Sequence, residues 1–227
     1  MKRFFQPIEK SVDGSPSSKK VALSSPHESH SGKDDEVGFH RRDPTKFVTW
    51  NANSLLLRVK ADWKKFSHFV QTINPDVICV QEVRMPSAGC KGAPKNHGQL
   101  KDDTASSRQE KQVLMQALSS PPFDDYRVWW SLSDSKYAGT ALFVKKQCQP
   151  KIVWFNVDRK AGKHEPDGRV ILAEFETLIL LNTYSPNNGW KDEDNSFKRR
   201  RKWDKRILEF VQNSSNKPLI WCGDLNV

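Results

Sequence analysis

Residues 219–227 read Leu-Ile-Trp-Cys-Gly-Asp-Leu-Asn-Val. Four apolar residues run into Gly223, and an acid and an amide, Asp224 and Asn226, follow at once. A short, continuously apolar run of this kind reads as a buried strand, and the carboxyl ends of strands are where α/β folds gather their sites. The pattern recurs upstream. Phe47–Trp50 runs into Asn51 and Asn53, Val77–Val80 into Gln81 and Glu82, and Leu178–Leu181 into Asn182, Tyr184 and Asn187. A single acid after a strand is ordinarily a helix cap. Four strands that all end this way make capping a poor account of the set.

Between these strands the chain alternates α and β. Asn53 and Ser54 are helix N-cap residue types, and Val59, Trp63, Phe66, Val70 and Ile73 recur at helical spacing. Asn74-Pro75 ends that helix before the strand Asp76–Glu82. Strand, helix, strand in this order predicts parallel pairing through a crossover. Residues 83–123, rich in Gly, Pro, Lys and Ser, read as a long loop with a helix over about 108–118. Strands are expected at 126–131, 139–145, 151–157, 169–176 and 178–184, the last two as a hairpin. A helix follows, marked by Phe197, Arg200, Trp203, Ile207 and Phe210.

The protein has 227 residues, with 37 Lys and Arg against 27 Asp and Glu, a net charge of +10 and a pI of about 9.5. A balance this basic points to a polyanionic partner. Half of the excess falls on one element, since 197–211 hold seven cations and two acids. Within it Lys198–Lys202 resembles a nuclear localisation signal, and on a helix it reads as a solvated or phosphate-facing side. No apolar stretch approaches the ~18–20 residues of a membrane span, so no membrane is expected. Cys79, Cys90, Cys148 and Cys222 form no CxxC pair and no zinc pattern, which suits a reducing compartment. Residues 1–46 are poor in large apolar side chains and read as a disordered tail ahead of a domain over 47–227. At its start Phe4-Phe5 beside Lys2 and Arg3 would suit docking to a partner pocket such as a sliding clamp.

The strand-end residues suggest a hard cation. Glu82 and Asp224 supply carboxylate oxygens, Asn51 and Asn226 neutral amides, and no Cys or His pair joins them. Oxygen-only ligation favours Mg²⁺ or Mn²⁺ over zinc, and such an ion commonly works on a phosphate. Residue chemistry alone therefore reaches Mg²⁺-dependent chemistry on a phosphate polyanion.

The motifs KFVTWNANS (46–54), PDVICVQEVRMP (75–86), SKYAGTALFVKK (135–146), DGRV (167–170), LLNTYSPNNGW (180–190) and KPLIWCGDLNV (217–227), taken in order, resemble the exonuclease III class of apurinic/apyrimidinic (AP) endonucleases, in the endonuclease/exonuclease/phosphatase superfamily. The likeness extends to plant members and covers about 46–227 plus the extreme N-terminus. It implies the first part of a four-layer α/β sandwich in which two sheets face each other. It also implies a monomer that cuts duplex DNA at abasic sites in base excision repair, in the nucleus, with 3′-phosphodiesterase and 3′–5′ exonuclease activities beside that incision. Carried over, Glu82 would ligate Mg²⁺ with Asn51 beside it. Asp224 would handle the proton of the attacking water or join the metal shell, and Asn226 would donate to that water or to a phosphate oxygen. Tyr184 would lie against the scissile phosphate, Asn187 would contact it, and Arg169 stands near the substrate, more as a strand brace than as a DNA contact. Asn53 replaces an acid found in part of the family.

The family's second half, with its closing Asp and His, has no counterpart before Val227. A truncated domain, poorly stable and with little or no incision activity alone, is therefore expected. The alternatives are another superfamily phosphatase or nuclease, and a catalytically silent fragment that docks DNA or a clamp.

Overall fold

The computed structural model describes residues 42–89, 96–188, 196–214 and 217–227. Phe4-Phe5, Cys90 and nearly all of the expected tail lie outside them. Within the described residues a mixed α/β domain is built on two four-stranded sheets. The first contains β1 (Phe47–Asn51), β2 (Val77–Gln81), β5 (Tyr126–Ser131) and β6 (Thr140–Lys145) in the order β1-β2-β6-β5. The second contains β7 (Ile152–Trp154), β8 (Val170–Glu174), β9 (Ile179–Tyr184) and β10 (Leu219–Asp224) in the order β10-β9-β8-β7. In each sheet one pair is parallel, β1 with β2 and β9 with β10, as a crossover helix between them requires.

The period-two alternation of side chains assigns the layers. In β2, Ile78 and Val80 face the helices, while Val77 and Cys79 face the second sheet. In β8 and β9, Ile171, Ala173 and Leu180 face the first sheet, while Leu172, Ile179 and Leu181 meet the helix α4 (Ser196–Gln212) through Trp203 and Ile207. The first sheet's outer face is covered by α1 (Leu55–Ala61), α2 (Trp63–Ile73) and α3 (Ala105–Leu118). Helices, sheet, sheet and helix make the expected four layers. Two buried amide side chains meet between the sheets. Gln81 Nε2 donates to Asn182 Oδ1 at 2.8 Å, and Asn182 Nδ2 donates to Ala141 O at 3.0 Å. Both side chains are buried, so each would carry a desolvation cost without the other.

Several expectations change in detail. The helix expected through residue 73 is two, because Asp62 leaves helical geometry at φ −130° and pairs with Arg58 at 2.7 Å. Beyond the bend Trp63 packs tilted against Phe123 and Phe66 stacks on Trp50, with ring centroids 4.5 and 4.0 Å apart. The loop after β2 contains a short pair, β3 (Ser87–Ala88) with β4 (Asn96–Leu100). The strand expected over 151–157 shortens to β7. Arg42 to Lys46, placed with the tail by composition, bond to the domain: Arg42, Thr45 and Lys46 all donate to the buried Asp76 carboxylate. The run 219–222, expected to be buried, is a half-exposed edge strand with Trp221 at 42% exposure.

Candidate active site

The carboxyl ends of both parallel pairs open into one cleft of about 410 Å³, lined among others by Asn51, Gln81, Asp224 and Asn226. β1 delivers Asn51, β2 delivers Glu82, β9 delivers Tyr184, and β10 delivers Asp224. The approach of β10 to β9 depends on Gly223. Its φ is +143°, and a Cβ there would lie 2.0 Å from Thr183 O, so no side chain fits.

At the centre stands Asn51. Its single Nδ2 donates to Glu82 Oε1 at 3.0 Å and to Asp224 Oδ2 at 2.7 Å, joining an acid of one sheet to an acid of the other. Asn51 Oδ1 is turned away and accepts from Asn53 N–H at 2.9 Å. Asp224 Oδ1 accepts from Asn226 N–H at 3.0 Å, and Asn226 Nδ2 donates to Ser185 O at 2.7 Å, which binds the loop after β10 to the loop after β9.

Glu82 is mostly buried, which disfavours its charge. Hydrogen bonds from Asn51 and Tyr184 and the Arg84 guanidinium outweigh that cost and hold its pKa below the usual carboxylate value. Burial, with the Glu82 charge beside it, pushes the Tyr184 phenol up to about 12, so it is a proton donor at neutral pH. Glu82 Oε2 is buried and accepts no well-aligned hydrogen bond; its contact is the charge of Arg84.

Arg169 is buried at 3% exposure and stands behind Tyr184. It donates to Tyr184 O at 3.1 Å and to the Tyr137 hydroxyl at 2.8 Å, and its guanidinium lies over both rings. Its place is therefore that of a brace. Asn187 is exposed, three residues beyond the end of β9. Glu82, Asp224, Asn51, Asn226 and Tyr184 are thus brought together, with Arg169 behind them.

Two participants were not expected from the sequence. Arg84 is one. The other is Arg200, mostly buried on α4, which donates through Nη1 to Pro186 O at 3.1 Å and to Asn226 O at 2.7 Å. It clamps the two loops that carry the site. Its sequence signals were membership in a basic run and a place at helical spacing with Phe197, Trp203 and Ile207, the second of which is the one the structure bears out.

The arrangement can hold a hard cation. Among the described residues no group of three or more His, Cys, Asp and Glu is gathered. The oxygen donors it offers are the two carboxylates; Asn51 presents its Nδ2 to both of them, and Glu82 Oε2 meets only the Arg84 guanidinium among the described residues. That composition suits an ion held by one or two carboxylates plus a substrate phosphate. On α4, Lys198, Arg199, Arg201 and Lys202 are exposed and none of them pairs with an acid among the described residues, whereas Arg200, Lys205 and Arg206 do.

Residues 48–227 match the model of the Endonuclease/Exonuclease/phosphatase family. Over its whole length the chain is 66% identical to a DNA-(apurinic or apyrimidinic site) endonuclease of Arabidopsis thaliana, and it spans 62% of that protein. It is 36% identical over 211 residues to the DNA-(apurinic or apyrimidinic site) endonuclease of Plasmodium berghei, matching 82% of this chain and 38% of that one. Among solved structures, the AP endonuclease LMAP from Leishmania major superposes with a TM-score of 0.59 at 21% identity, covering 82% of this chain and 56% of its own. The AP endonuclease from Archaeoglobus fulgidus gives 0.52 at 21% identity, covering 80% and 57%. These two share the fold. The chain thus spans less than two thirds of each relative named.

Proposed function

The chain belongs to the endonuclease/exonuclease/phosphatase family, and on that premise we propose that its site serves Mg²⁺-dependent hydrolysis of the DNA backbone at abasic sites, in base excision repair. The observation that carries the reading is Asn51 joining Glu82 and Asp224 across the two sheets. Two acids brought together at strand ends beside an open cleft, on a chain that carries an exposed basic helix, suit a phosphodiester and an ion, and the relatives' names supply the substrate.

In this reading Glu82 and Asp224 would hold the ion, Mg²⁺ or Mn²⁺, with Asn51 between them. The ion, when bound, neutralises phosphoryl charge and acidifies water. Asp224 receives the proton of the attacking water. Tyr184, protonated at neutral pH, donates to the phosphate or to the leaving oxygen. Asn226 holds Asp224 in place through its backbone N–H, and Asn187, in the loop after β9, reaches the phosphate. Asn51 keeps the two acids at a fixed separation. Lys198, Arg199, Arg201 and Lys202 bind flanking phosphates, which makes affinity fall steeply with salt. Their exposure also supports a nuclear location. The 3′-phosphodiesterase and 3′–5′ exonuclease activities would use the same site. The clamp contact through Phe4-Phe5 and the monomeric state are expectations of the same reading.

A duplex carrying one synthetic abasic residue tests this. Incision that needs Mg²⁺ and disappears in Asp224→Ala and in Glu82→Gln supports the proposal. Preferential cleavage of RNA or of an inositol phosphate would move the chain to another branch of the superfamily. The exposed cations of α4, unpaired among the described residues, favour a second reading in which this chain alone binds duplex DNA without turnover. Salt-dependent binding with no product would decide for it.

A further inference from the structure

Glu82 and Arg84 form an unusual pair of backbone positions. Both are non-glycine residues with positive φ, +51° and +50°. Such conformations cost about 1 kcal/mol or more each and persist where the surroundings over-determine them. Here they are pinned from two sides. Ser54 N–H and Leu55 N–H donate to the carbonyls of Glu82 and Val83, and the N–H groups of Val83 and Arg84 donate to the carbonyls of Gly139 and Ala138, all at 2.9–3.1 Å. Val83 between them is fully buried. The segment is held so that Glu82 and Arg84 turn toward each other, and the guanidinium meets Glu82 Oε2, the oxygen that accepts no aligned hydrogen bond.

The two partners differ in freedom. The Glu82 side chain is 13% exposed and that of Arg84 is 42% exposed. The acid is fixed, while the guanidinium reaches it from the solvent side and can swing back. Arginine stays charged at every ordinary pH, so it occupies the carboxylate whether or not the solution is neutral.

We propose that Arg84 is a resident counter-ion for Glu82 that competes with the divalent cation for the same carboxylate oxygen. The inference rests on the metal-dependent reading of the site given above. In the metal-free state the guanidinium offsets the charge of a mostly buried acid. Loading the ion displaces it, so the site binds its metal more weakly than the bare carboxylates would. The released guanidinium is then left at the rim of the cleft, free for a phosphate. Arg84 is a positioning residue that tunes metal affinity, rather than a ligand.

Mn²⁺ binding, read by the loss of the free-ion electron paramagnetic resonance signal, tests this without any need for turnover. The full chain is compared with Arg84→Gln, Arg84→Met, Arg84→Lys and Glu82→Gln, each checked for folding by circular dichroism. The neutral variants should bind Mn²⁺ at least about tenfold more tightly, the low end of what removing a unit charge near a divalent ion gives when water screens the pair. Arg84→Lys should stay within about threefold of the parent, and Glu82→Gln should lose the site. Two neutral substitutions guard against one that fails to fold. Neutral variants that bind no more tightly than the parent, while Glu82→Gln still loses the site, overturn the counter-ion role and leave the metal reading intact. Absence of Mn²⁺ binding at millimolar ion in the parent and in both neutral variants overturns both.

Discussion

The two acids at the centre of the cleft sit on unlike foundations. Glu82 follows β2, which lies between β1 and β6 and is buried at every residue. Asp224 ends β10, which among the described residues pairs with β9 alone and is exposed at Trp221. Each strand is the second member of a parallel pair, so local sequence logic is the same for both. What differs is the neighbour on the far side. One half of the site is anchored by its own sheet, and the other depends on side chains from α4 and the loop after β9. Position in the sheet, more than the strand itself, decides how firmly a strand-end residue is held.

The largest expected contrast is in the strands. Ile78→Ala in β2, fully buried, should cost about 3 kcal/mol, and Ile220→Ala in β10, half-buried, about 1 kcal/mol. Urea midpoints measure both, and equal losses would break the comparison. The second contrast is acid sensitivity at the start of β2. Asp76 is buried, which disfavours its charge, but bonds from Arg42, Thr45 and Lys46 override that and hold its pKa at about 2. A folded pKa below the unfolded value of about 3.8 gives stability that is complete above pH 4 and lost as pH falls through about 2. That share is about 2 kcal/mol, and Asp76→Asn should flatten stability against pH in this window. The smallest contrast is local. Arg200→Ala should leave global stability within about 1 kcal/mol, yet speed amide hydrogen exchange at Ser185 and Asn226, whose N–H groups bond Asp224. Exchange at Val83 and Arg84 should not change. Uniform exchange across both segments would show that the two foundations are coupled.

Much of this was readable from the chain. β1, β2, β9 and β10 each announce themselves by an apolar run that stops at an amide or an acid, and those stopping residues are the ones that converge. Val77–Val80 was legible as a strand buried on both faces, and the structure covers it with helices on one side and the opposing sheet on the other. The edge status of β10 was not readable, because it depends on what lies beside the strand and not on the strand. The β3–β4 pair has no alternation to betray it; its strands are Ser-Ala and Asn-His-Gly-Gln-Leu. The helix break at Asp62 is set by where Trp63 must pack, a tertiary demand on a sequence that is periodic through it. Arg84 was hidden because positive φ leaves no mark on a non-glycine residue. Arg200 was hidden among seven cations on one helix.

Asn51 has one further consequence. Its amide nitrogen is shared by acids from two different sheets, with nothing longer than 3.0 Å in the span. It behaves as a gauge of the gap between the layers: a slide of about one ångström between sheets would release one acid or the other. A compound wedged into the dry seam around Leu142 and Leu180, touching no residue of the cleft, would then silence the site as surely as one that fills it.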